Sequence, residues 1–313
     1  MGLKITDGKS KDFSRPLSGD LRGEFESFLL SNGMTVESKK GLVIGGDIGR
    51  AYMDVGGKQK LVGWYQVWLD QDVPFGRCGD RTVSNDEPTA TWKPDNAVNH
   101  KMTDEEREQI RMLSEEKAKE TEENQRQAAR LAKERWDSYP EATEDNLYLQ
   151  RKGVENHGLR QRGNRLVLPM LDKKLEIVGL QYIDGDGQKL FMKHSKKAGS
   201  FFVIDPQQMR TAHTINYVEG YATGASYYAD LGQPVVICFD AYNLSPVAET
   251  ISGWFPEAKH VFIADCDDTK TGEVEAVKAA QVVRRIGAQA EVLIPQSKGD
   301  YNDHALEGEL LPD

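Results

Sequence analysis

The sequence predicts an α/β protein in which a parallel sheet flanked by helices is preceded by a small, basic, mixed α+β subdomain. Before that subdomain we expect a small β-rich domain, joined to the rest by a long helix. Residues 214–313 alternate short apolar runs with helical patterns, which is typical of a parallel sheet covered on both faces. Residues 103–136 contain neither proline nor glycine, which is typical of one long helix.

The composition is that of a globular protein of two or three domains. The chain has 313 residues, of which 38% are hydrophobic and 29% are charged. Its three cysteines, Cys78, Cys238 and Cys266, are too far apart for a zinc ribbon, so we expect neither zinc nor a disulfide framework. No apolar run is long enough to span a bilayer and no signal peptide opens the chain. We therefore expect a cytoplasmic protein with no membrane partner.

Charge is distributed unevenly along the chain. The net charge of −10 at pH 7 argues against a general nucleic-acid binder. Residues 151–213 nevertheless carry +6, while residues 214–313 carry −10. A basic segment followed by an acidic one is expected when one part binds a polyanion and the next binds cations. An ordinary fluctuation of charge between domains would look the same.

The first hundred residues predict a small accessory domain. Residues 1–20 are polar and typical of a flexible arm, and the apolar spacing within Gly23–Met34 predicts a helix. Alternating runs at Leu42–Ile44, Ala51–Val55 and Leu61–Trp68, separated by glycine pairs, predict a small antiparallel sheet. Four aromatic side chains suit either base stacking or the core of this β unit, and the core is favoured: Trp64, Tyr65, Trp68 and Trp92.

Residues 101–140 predict a long, charged helix. Thr103–Glu106 has the capping-box pattern of a hydroxyl followed three residues later by Glu, and Pro140 ends the run. At 1.5 Å per residue the helix would be about 50 Å long. Because Ser114–Gln127 is almost wholly polar and no apolar heptad is sustained, the helix should be exposed for much of its length. We expect it to bridge two domains.

Residues 141–213 predict a small mixed or antiparallel sheet with a basic surface. Strands are expected at Arg165–Leu171, Leu175–Ile183, Lys189–Lys193 and Phe201–Ile204. The basic side chains available on this surface are Arg160, Arg162, Arg165, Lys193, Lys196 and Lys197. Lysine and arginine also protect sheet edges from aggregation, but their local excess favours phosphate contact.

Residues 214–313 predict a parallel sheet. Its expected strands are Thr214–Val218, Pro234–Phe239, Lys259–Ala264 and Glu291–Pro295. Its expected helices are Tyr221–Asp230, Leu244–Gly253 and Glu273–Ile286. In such sheets the ligand lies beyond the carboxyl ends of the strands.

Acidic residues gather at those strand ends. Four of them fall there: Glu219, Asp240, Asp265 and Asp267. Clustered carboxylates raise each other's pKa, and a divalent cation such as Mg²⁺ is the usual neutraliser. Carboxylates also cap helices, and for Asp240 and Asp268 capping is an equal alternative. A further acidic cluster, Lys298–Asp303, follows the fourth strand. The pattern favours a metal site for phosphate chemistry.

Several motifs resemble a known family. Val218–Gly224, Phe239–Leu244, Ala264–Asp268 and Gly299–Asp303 together resemble the Toprim domain. The likeness is greatest to the TraC-type, DnaG-like DNA primases of plasmids, phages and conjugative elements. Upstream, three segments resemble the signatures of the primase catalytic core: Tyr148–Gly153, Arg165–Met170 and Lys189–Ser195. The resemblance covers residues 140 to 306 and implies a Toprim-type parallel sheet at 214–313, after a basic primase subdomain at 141–213.

The resemblance implies a role for each matching residue. Glu219, Asp265 and Asp267 would be the catalytic carboxylates and the ligands of Mg²⁺ or Mn²⁺, with two ions expected. Asp268, Asp300 and Asp303 would make outer or second-metal contacts. The residues expected to bind nucleotide or template are Lys152, Arg160, Arg162, Arg165, Lys193, Lys196, Lys197 and Lys298. The implied activity is template-directed synthesis of short RNA primers from NTPs on single-stranded DNA, with a replicative helicase as a possible partner.

The sequence also departs from the family pattern. It has no cysteines for the N-terminal zinc ribbon of the classical primase, and no P-loop for a fused helicase. Many relatives have Asn at the position of Asp240, so a metal role for this residue stays open. Two alternatives remain: a Toprim metal-dependent nuclease, and a non-catalytic DNA-binding protein associated with replication.

Overall fold

The computed structural model describes residues 19–36, 42–44, 48–68, 74–81, 88–94, 104–266, 270–295 and 299–307. The chain divides into two compact units, Met1–Glu116 and Lys117–Asp313. The predicted α/β fold class is confirmed, with a largely parallel sheet in the second unit and an antiparallel sheet in the first. Among the helices described, none has both the length and the apolar character needed to cross a membrane.

The first unit contains a helix and a five-stranded antiparallel sheet. Helix α1 is Gly19–Ser31, and the strands are β1 Met34–Val36, β2 Gly49–Asp54, β3 Gln59–Trp68, β4 Phe75–Asp80 and β5 Ala90–Trp92, paired in that order. Gly56 and Gly57 have positive φ and form the turn between β2 and β3, as the sequence predicts. Phe25 of α1 packs against Tyr65 and Trp92. The prediction of a core role for most of the aromatic residues is confirmed, because Trp64, Tyr65 and Trp92 are buried.

One prediction for this unit is wrong, and others fall on residues that the structure does not describe. Leu42–Ile44 is not a strand, since these residues pair with no neighbouring strand, although Leu42 is buried in the core. Residues 1–18 and the glycine pair at 45–46 lie outside the described residues.

Helix α2 covers Asp104–Ser138, so the predicted long helix is confirmed; Thr103 lies outside the described residues. Most described side chains before residue 128 are exposed, as the sparse apolar pattern predicts. Ala128 and Ala132 then pack against the small sheet of the second unit. The boundary between the two compact units falls within this helix.

After the end of α2, the second unit continues with helix α3, Leu147–Lys152, and a four-stranded antiparallel sheet. Its strands are β6 Arg160–Arg162, β7 Arg165–Leu171, β8 Ile177–Ile183 and β9 Lys189–Phe191, paired in that order. The placement of Phe202–Ile204 in this sheet is wrong, although Phe201 forms an isolated antiparallel bridge with Leu171 at the end of β7. Strand β10, Phe202–Ile204, instead pairs antiparallel with β12 of the large sheet. All three of its residues are buried, as expected of a strand covered on both faces.

The large sheet has the order β10-β12-β11-β13-β14 and is parallel except for β10. Its parallel strands are β11 Thr214–Val218, β12 Val235–Ile237, β13 Lys259–Ile263 and β14 Gln289–Leu293. The helices are α4 Tyr221–Leu231, α5 Leu244–Trp254, α6 Thr271–Arg285 and α7 Tyr301–Glu307. The predicted alternation of strands and helices is confirmed.

Helices cover both faces of the large sheet. Tyr221 and Tyr301, from α4 and α7, belong to one apolar cluster, while Leu244 and Ala276, from α5 and α6, belong to the other. In the second cluster, His260 is fully buried, with Nδ1 2.7 Å from the Tyr217 hydroxyl and Nε2 3.1 Å from a backbone carbonyl. Since Nε2 must donate to the carbonyl, the neutral ring accepts at Nδ1 from the tyrosine. Packing of the helices on both faces holds the strands in this order, and the strand order determines which strand ends lie together.

Candidate active site

Glu219 and Asp265 meet at the carboxyl edge of the large sheet. Glu219 follows the last residue of β11, and Asp265 lies two residues beyond the end of β13. Strands β11 and β13 are parallel neighbours, with Tyr217 opposite Phe262, so the residues that follow them leave the same edge. Glu219 Oε1 and Asp265 Oδ1 are both buried oxygen atoms. The structure therefore brings together two carboxylates that the sequence predicts as ligands.

The first turn of α6 closes tightly on these two residues. A Cβ atom at Gly272 would lie 2.5 Å from the Asp265 carbonyl oxygen and 2.9 Å from Glu219 Oε1. Only glycine fits at this distance, because real side chains do not approach a backbone oxygen so closely. Gly272 thus lets the amino end of a helix, which favours negative charge, approach the carboxylate of Glu219.

A short bridge brings the third acidic cluster to the same loop. Cys266 and Gly299 exchange two backbone hydrogen bonds of 3.1 and 3.0 Å, which place Asp300 beside the loop that carries Asp265. The Asp300 carboxylate accepts from the backbone N–H of Asp303 at 2.9 Å, and the Asp303 carboxylate accepts in return from the backbone N–H of Asp300 at 3.4 Å. This reciprocal pair is a helix cap for α7.

Asp303 also pairs with a basic residue from α3. Lys152 Nζ donates to Asp303 Oδ1 at 2.9 Å. Burial alone would raise the pKa of Asp303, but the hydrogen bonds from Lys152 and from the Asp300 backbone outweigh it and lower the pKa. Two predicted site residues are therefore joined to each other, in an arrangement that docks α7 against α3.

The basic loop 193–200 is held at the carboxyl end of β12. Asn243 Nδ2 donates to the carbonyls of Ser200 and Cys238 at 2.7 and 2.8 Å, and its Oδ1 accepts from the backbone N–H of Gly199 at 2.7 Å. Lys197 forms an ion pair with Asp240. Asp240 Oδ1 also accepts from the backbone N–H of Asn243 at 3.0 Å, so in the structure this carboxylate forms both a cap and an ion pair.

The other predicted basic residues fall into two groups. Arg162, Arg165, Lys193 and Lys196 are exposed on the small sheet and the loop that follows it. Arg160 is engaged elsewhere: its Nη1 donates to the carbonyls of Trp136 and Tyr139, and its guanidinium lies 4.9 Å from the centre of the Trp136 ring. These contacts join the small sheet to the end of α2.

Lys189 lies near the acidic edge, although it is not among the residues that the sequence predicts to bind nucleotide or template. A Cβ atom at Gly220 would lie 3.1 Å from Lys189 Nζ, so this amine is next to the residue that follows Glu219. Lys189 pairs with Ile183 across β8 and β9, and Ile183 belongs to the core shared with the large sheet. Strand alternation therefore turns Lys189 towards that sheet. The register of β9 against β8 is the information that would be needed to predict a role for Lys189.

Three predicted site residues, Asp267, Asp268 and Lys298, lie outside the described residues. Within the part of the chain that is described, no three His, Cys, Asp or Glu side chains form a group able to hold a metal ion. Among the described residues, Glu219 and Asp265 are the two predicted catalytic carboxylates, and the structure brings them together at this edge.

Comparison with known proteins agrees with this architecture. Residues 214–309 match the family model described as the Toprim domain. One DNA primase TraC of Escherichia coli is 34% identical over 157 residues, covering 47% of this chain and 15% of the relative. A second TraC of the same organism is 30% identical over 251 residues, covering 75% of this chain and 17% of the relative. Residues 214–309 are a Toprim domain, and the chain is homologous to the TraC DNA primases. It spans less than a fifth of the length of these relatives.

Solved structures of primases overlap with the chain only loosely. The catalytic domain of DnaG primase bound to single-stranded DNA is 14% identical, with a TM-score of 0.44 over 59% of this chain and 79% of that one. The primase fragment of the bacteriophage T7 primase-helicase is 18% identical, with a TM-score of 0.38 over 51% of this chain and 65% of that one.

Proposed function

We propose that the chain is a DNA primase, which synthesises short RNA primers on single-stranded DNA by metal-dependent nucleotidyl transfer. The observation that carries the proposal is the meeting of Glu219 and Asp265 at the sheet edge, beside the amine of Lys189. Carboxylates next to a basic surface suit a reaction that joins a triphosphate to a nucleic-acid end. Homology to TraC supports this reading over other reactions of Toprim domains.

The donor atoms at this edge fit a hard divalent cation. Glu219 Oε1 and Asp265 Oδ1 are buried carboxylate oxygens, which Mg²⁺ and Mn²⁺ prefer to nitrogen or sulfur ligands. We propose Glu219, Asp265 and Asp267 as ligands of one or two such ions, with Asp268, Asp300 and Asp303 as outer contacts. When bound, the ions would stabilise the attacking and leaving oxygens at the reacting phosphorus.

The basic side chains would position the other reactants. Lys189, whose amine lies next to Gly220, is proposed to bind the triphosphate together with Arg165 and Lys193, which are exposed on the small sheet and the loop that follows it. Asp240 holds Lys197 by an ion pair, which keeps the loop 193–200 close to the same edge. Holding reactants in place accounts for most of the catalysis in phosphoryl transfer.

The wider setting follows from the homology. We propose that the protein acts in the replication of a phage, plasmid or other mobile element, in the cytoplasm, and that NTPs and a single-stranded DNA template are its substrates. A replicative helicase would be its partner at the fork.

The test is primer synthesis in vitro. The full chain is incubated with single-stranded DNA, labelled NTPs and either Mg²⁺ or Mn²⁺, and short oligonucleotides are resolved on a gel. We expect products from the wild type and none from Asp265→Asn. The matched control is Asp186→Asn, which changes an exposed aspartate in the β8–β9 turn and should leave the product yield unchanged.

Three results would count against the proposal. One is an absence of products from the wild-type chain, and another is an undiminished yield from Asp265→Asn. The third is metal-dependent nicking of plasmid DNA without synthesis, which would identify a nuclease instead. Binding of DNA with neither activity would identify a non-catalytic replication protein.

A further inference from the structure

The sheet of the first unit has one face that α1 does not cover. Tyr65 and Val67 of β3 face α1 and lie in the apolar core with Phe25. Side chains alternate along a strand, so Trp64, Gln66 and Trp68 project from the opposite face. We call this opposite face of the five-stranded sheet the open face.

Aromatic rings and an arginine are stacked along the open face. The Arg77 guanidinium lies 5.6 Å from the centre of the Trp64 ring and 5.1 Å from that of Trp68. Arg77 Nε donates to Gln66 Oε1 at 2.9 Å, which fixes the plane of the guanidinium. Trp68 in turn stacks on Phe75, with ring centres 5.6 Å apart. The result is a continuous row of flat groups across β3 and β4.

Trp64 forms the floor of this row. It is only 4% exposed, and a Cβ atom at Gly79 would lie 2.5 Å from its ring, so the indole lies directly on the β4 backbone. Trp68, Phe75 and Arg77 are partly exposed above it. The row is thus rigid at its base and accessible at its upper groups, which lowers the entropy cost of binding a ligand.

The charge of the open face is positive. Arg50 lies opposite Trp64 in the pairing of β2 with β3, so it projects from the same face, and it is exposed. Among the described residues, neither Arg50 nor Arg77 forms an ion pair with a carboxylate. In a chain whose net charge is −10, two arginines left without acidic partners beside stacked rings are an unusual local arrangement.

We propose that the open face binds single-stranded nucleic acid, separately from the Toprim site. Flat aromatic groups interleaved with arginine match unpaired bases, which stack on rings or guanidinium planes while the phosphates meet the positive charge. Duplex DNA offers phosphates but no free base faces. An acidic peptide offers negative charge but no series of flat rings. The binding does not depend on primer synthesis, and therefore stands or falls apart from the proposed function.

The first test uses intrinsic tryptophan fluorescence as a local signal. Oligo-dT of 20 nucleotides is titrated into the full chain in EDTA, and quenching of the five tryptophans is followed. We expect Trp68→Phe to lose part of the quenching while keeping most of the affinity, because phenylalanine still offers a flat ring. The matched control, Trp254→Phe, changes a tryptophan that is 40% exposed in the other unit and should quench as the wild type does.

The second test measures affinity by fluorescence anisotropy of labelled oligo-dT. Trp68→Ala should weaken binding about tenfold, as loss of one stacked base does. Arg77→Gln should also lower the slope of log affinity against log salt by about 0.7, as expected for one phosphate contact on a single strand. Thermal unfolding of each variant shows that the first unit remains folded.

The outcomes decide the proposal. Folded Trp68→Ala and Arg77→Gln variants that bind oligo-dT as the wild type does would overturn it. Equal competition by a poly-glutamate peptide, or by a 20-base-pair duplex, would also overturn the proposal, because the open face would then recognise negative charge alone. A failed primer-synthesis assay would leave it standing.

Discussion

Replacement of Gly272 by alanine probes the close contact on which the acidic edge depends. The new Cβ would lie 2.5 Å from the Asp265 carbonyl oxygen, 2.9 Å from Glu219 Oε1 and 3.2 Å from the Asp265 nitrogen. The nearest of these atoms belongs to the backbone and cannot rotate away. Overpacking of this kind costs about 1–3 kcal/mol, while alanine in place of glycine in a helix returns about 0.5–1 kcal/mol.

The expected net loss is therefore about 0–2.5 kcal/mol, which for a unit of this size lowers Tm by up to roughly 10 °C. Relief of the clash by movement of α6 or of the Glu219 carboxylate would displace the site by about 1 Å, and such displacements cost on the order of 100-fold in rate. The assays are differential scanning fluorimetry and primer synthesis on one template.

Gly253→Ala is the matched control. Gly253 lies in the last turn of α5 and a Cβ there would meet no atom within 4 Å, so Tm should stay constant or rise. Wild-type Tm and full primer yield from Gly272→Ala would refute the reasoning, because the first turn of α6 would then have space for a Cβ atom where the structure shows none.

Three further predictions follow from contacts in the second unit. Lys189→Gln should raise KM for NTPs about tenfold in steady-state kinetics with Tm unchanged, whereas Lys174→Gln, an exposed lysine at the β7–β8 turn, should alter neither. Asn243→Ala should lower the free energy of unfolding in urea by about 3 kcal/mol, because it removes three hydrogen bonds that hold the basic loop; a loss below about 0.5 kcal/mol would contradict that role. Burial lowers the pKa of His260, so the unfolded state binds a proton that the folded state rejects. The free energy of unfolding should be at its full value above about pH 6.5 and should fall below that pH. His260→Leu should make this fall less steep, and the slope that remains should come from His157, whose pKa burial also lowers. An unchanged slope in His260→Leu would contradict this, because it would mean that the pKa of His260 is the same in the folded and unfolded states.

The strand ends of the large sheet could be predicted because the residue types indicate which segments are buried and where each one ends. Apolar runs such as Lys259–Ile263 are buried on both faces, and the acid that follows each run marks the edge. Parallel pairing then brings Glu219 and Asp265 together without any further information. The periodicity of the sequence is enough to predict where Glu219 and Asp265 lie, and homology predicts the chemistry that they perform.

Other features depend on contacts that a linear pattern does not contain. The apolar Phe202–Ile204 suits either sheet, and only the tertiary fold assigns it to the large one. The position of Lys189 depends on its register against β8, which no local pattern fixes. Asp300 looks like a metal ligand in sequence, yet its carboxylate caps α7 in the structure. A carboxylate serves either purpose, so the type of residue does not distinguish the two.

The open face shows a similar limit in the first unit. Four aromatic residues predicted a core, and three of them are buried, but their division between two faces depends on which face α1 covers. The stacking of Arg77 between Trp64 and Trp68 joins residues from two strands and has no signature in either strand alone.

The most direct test of the central claim, that Glu219 and Asp265 act together on one metal-dependent reaction, is a double-mutant cycle. Primer yield with Mn²⁺ is measured for the wild type, Glu219→Gln, Asp265→Asn and the double variant, with Tm confirming that all four are folded. Residues that act as a unit are strongly non-additive, so each single variant should lose nearly as much activity as the double variant. Losses that simply multiply, or a single variant that retains wild-type yield, would contradict the account.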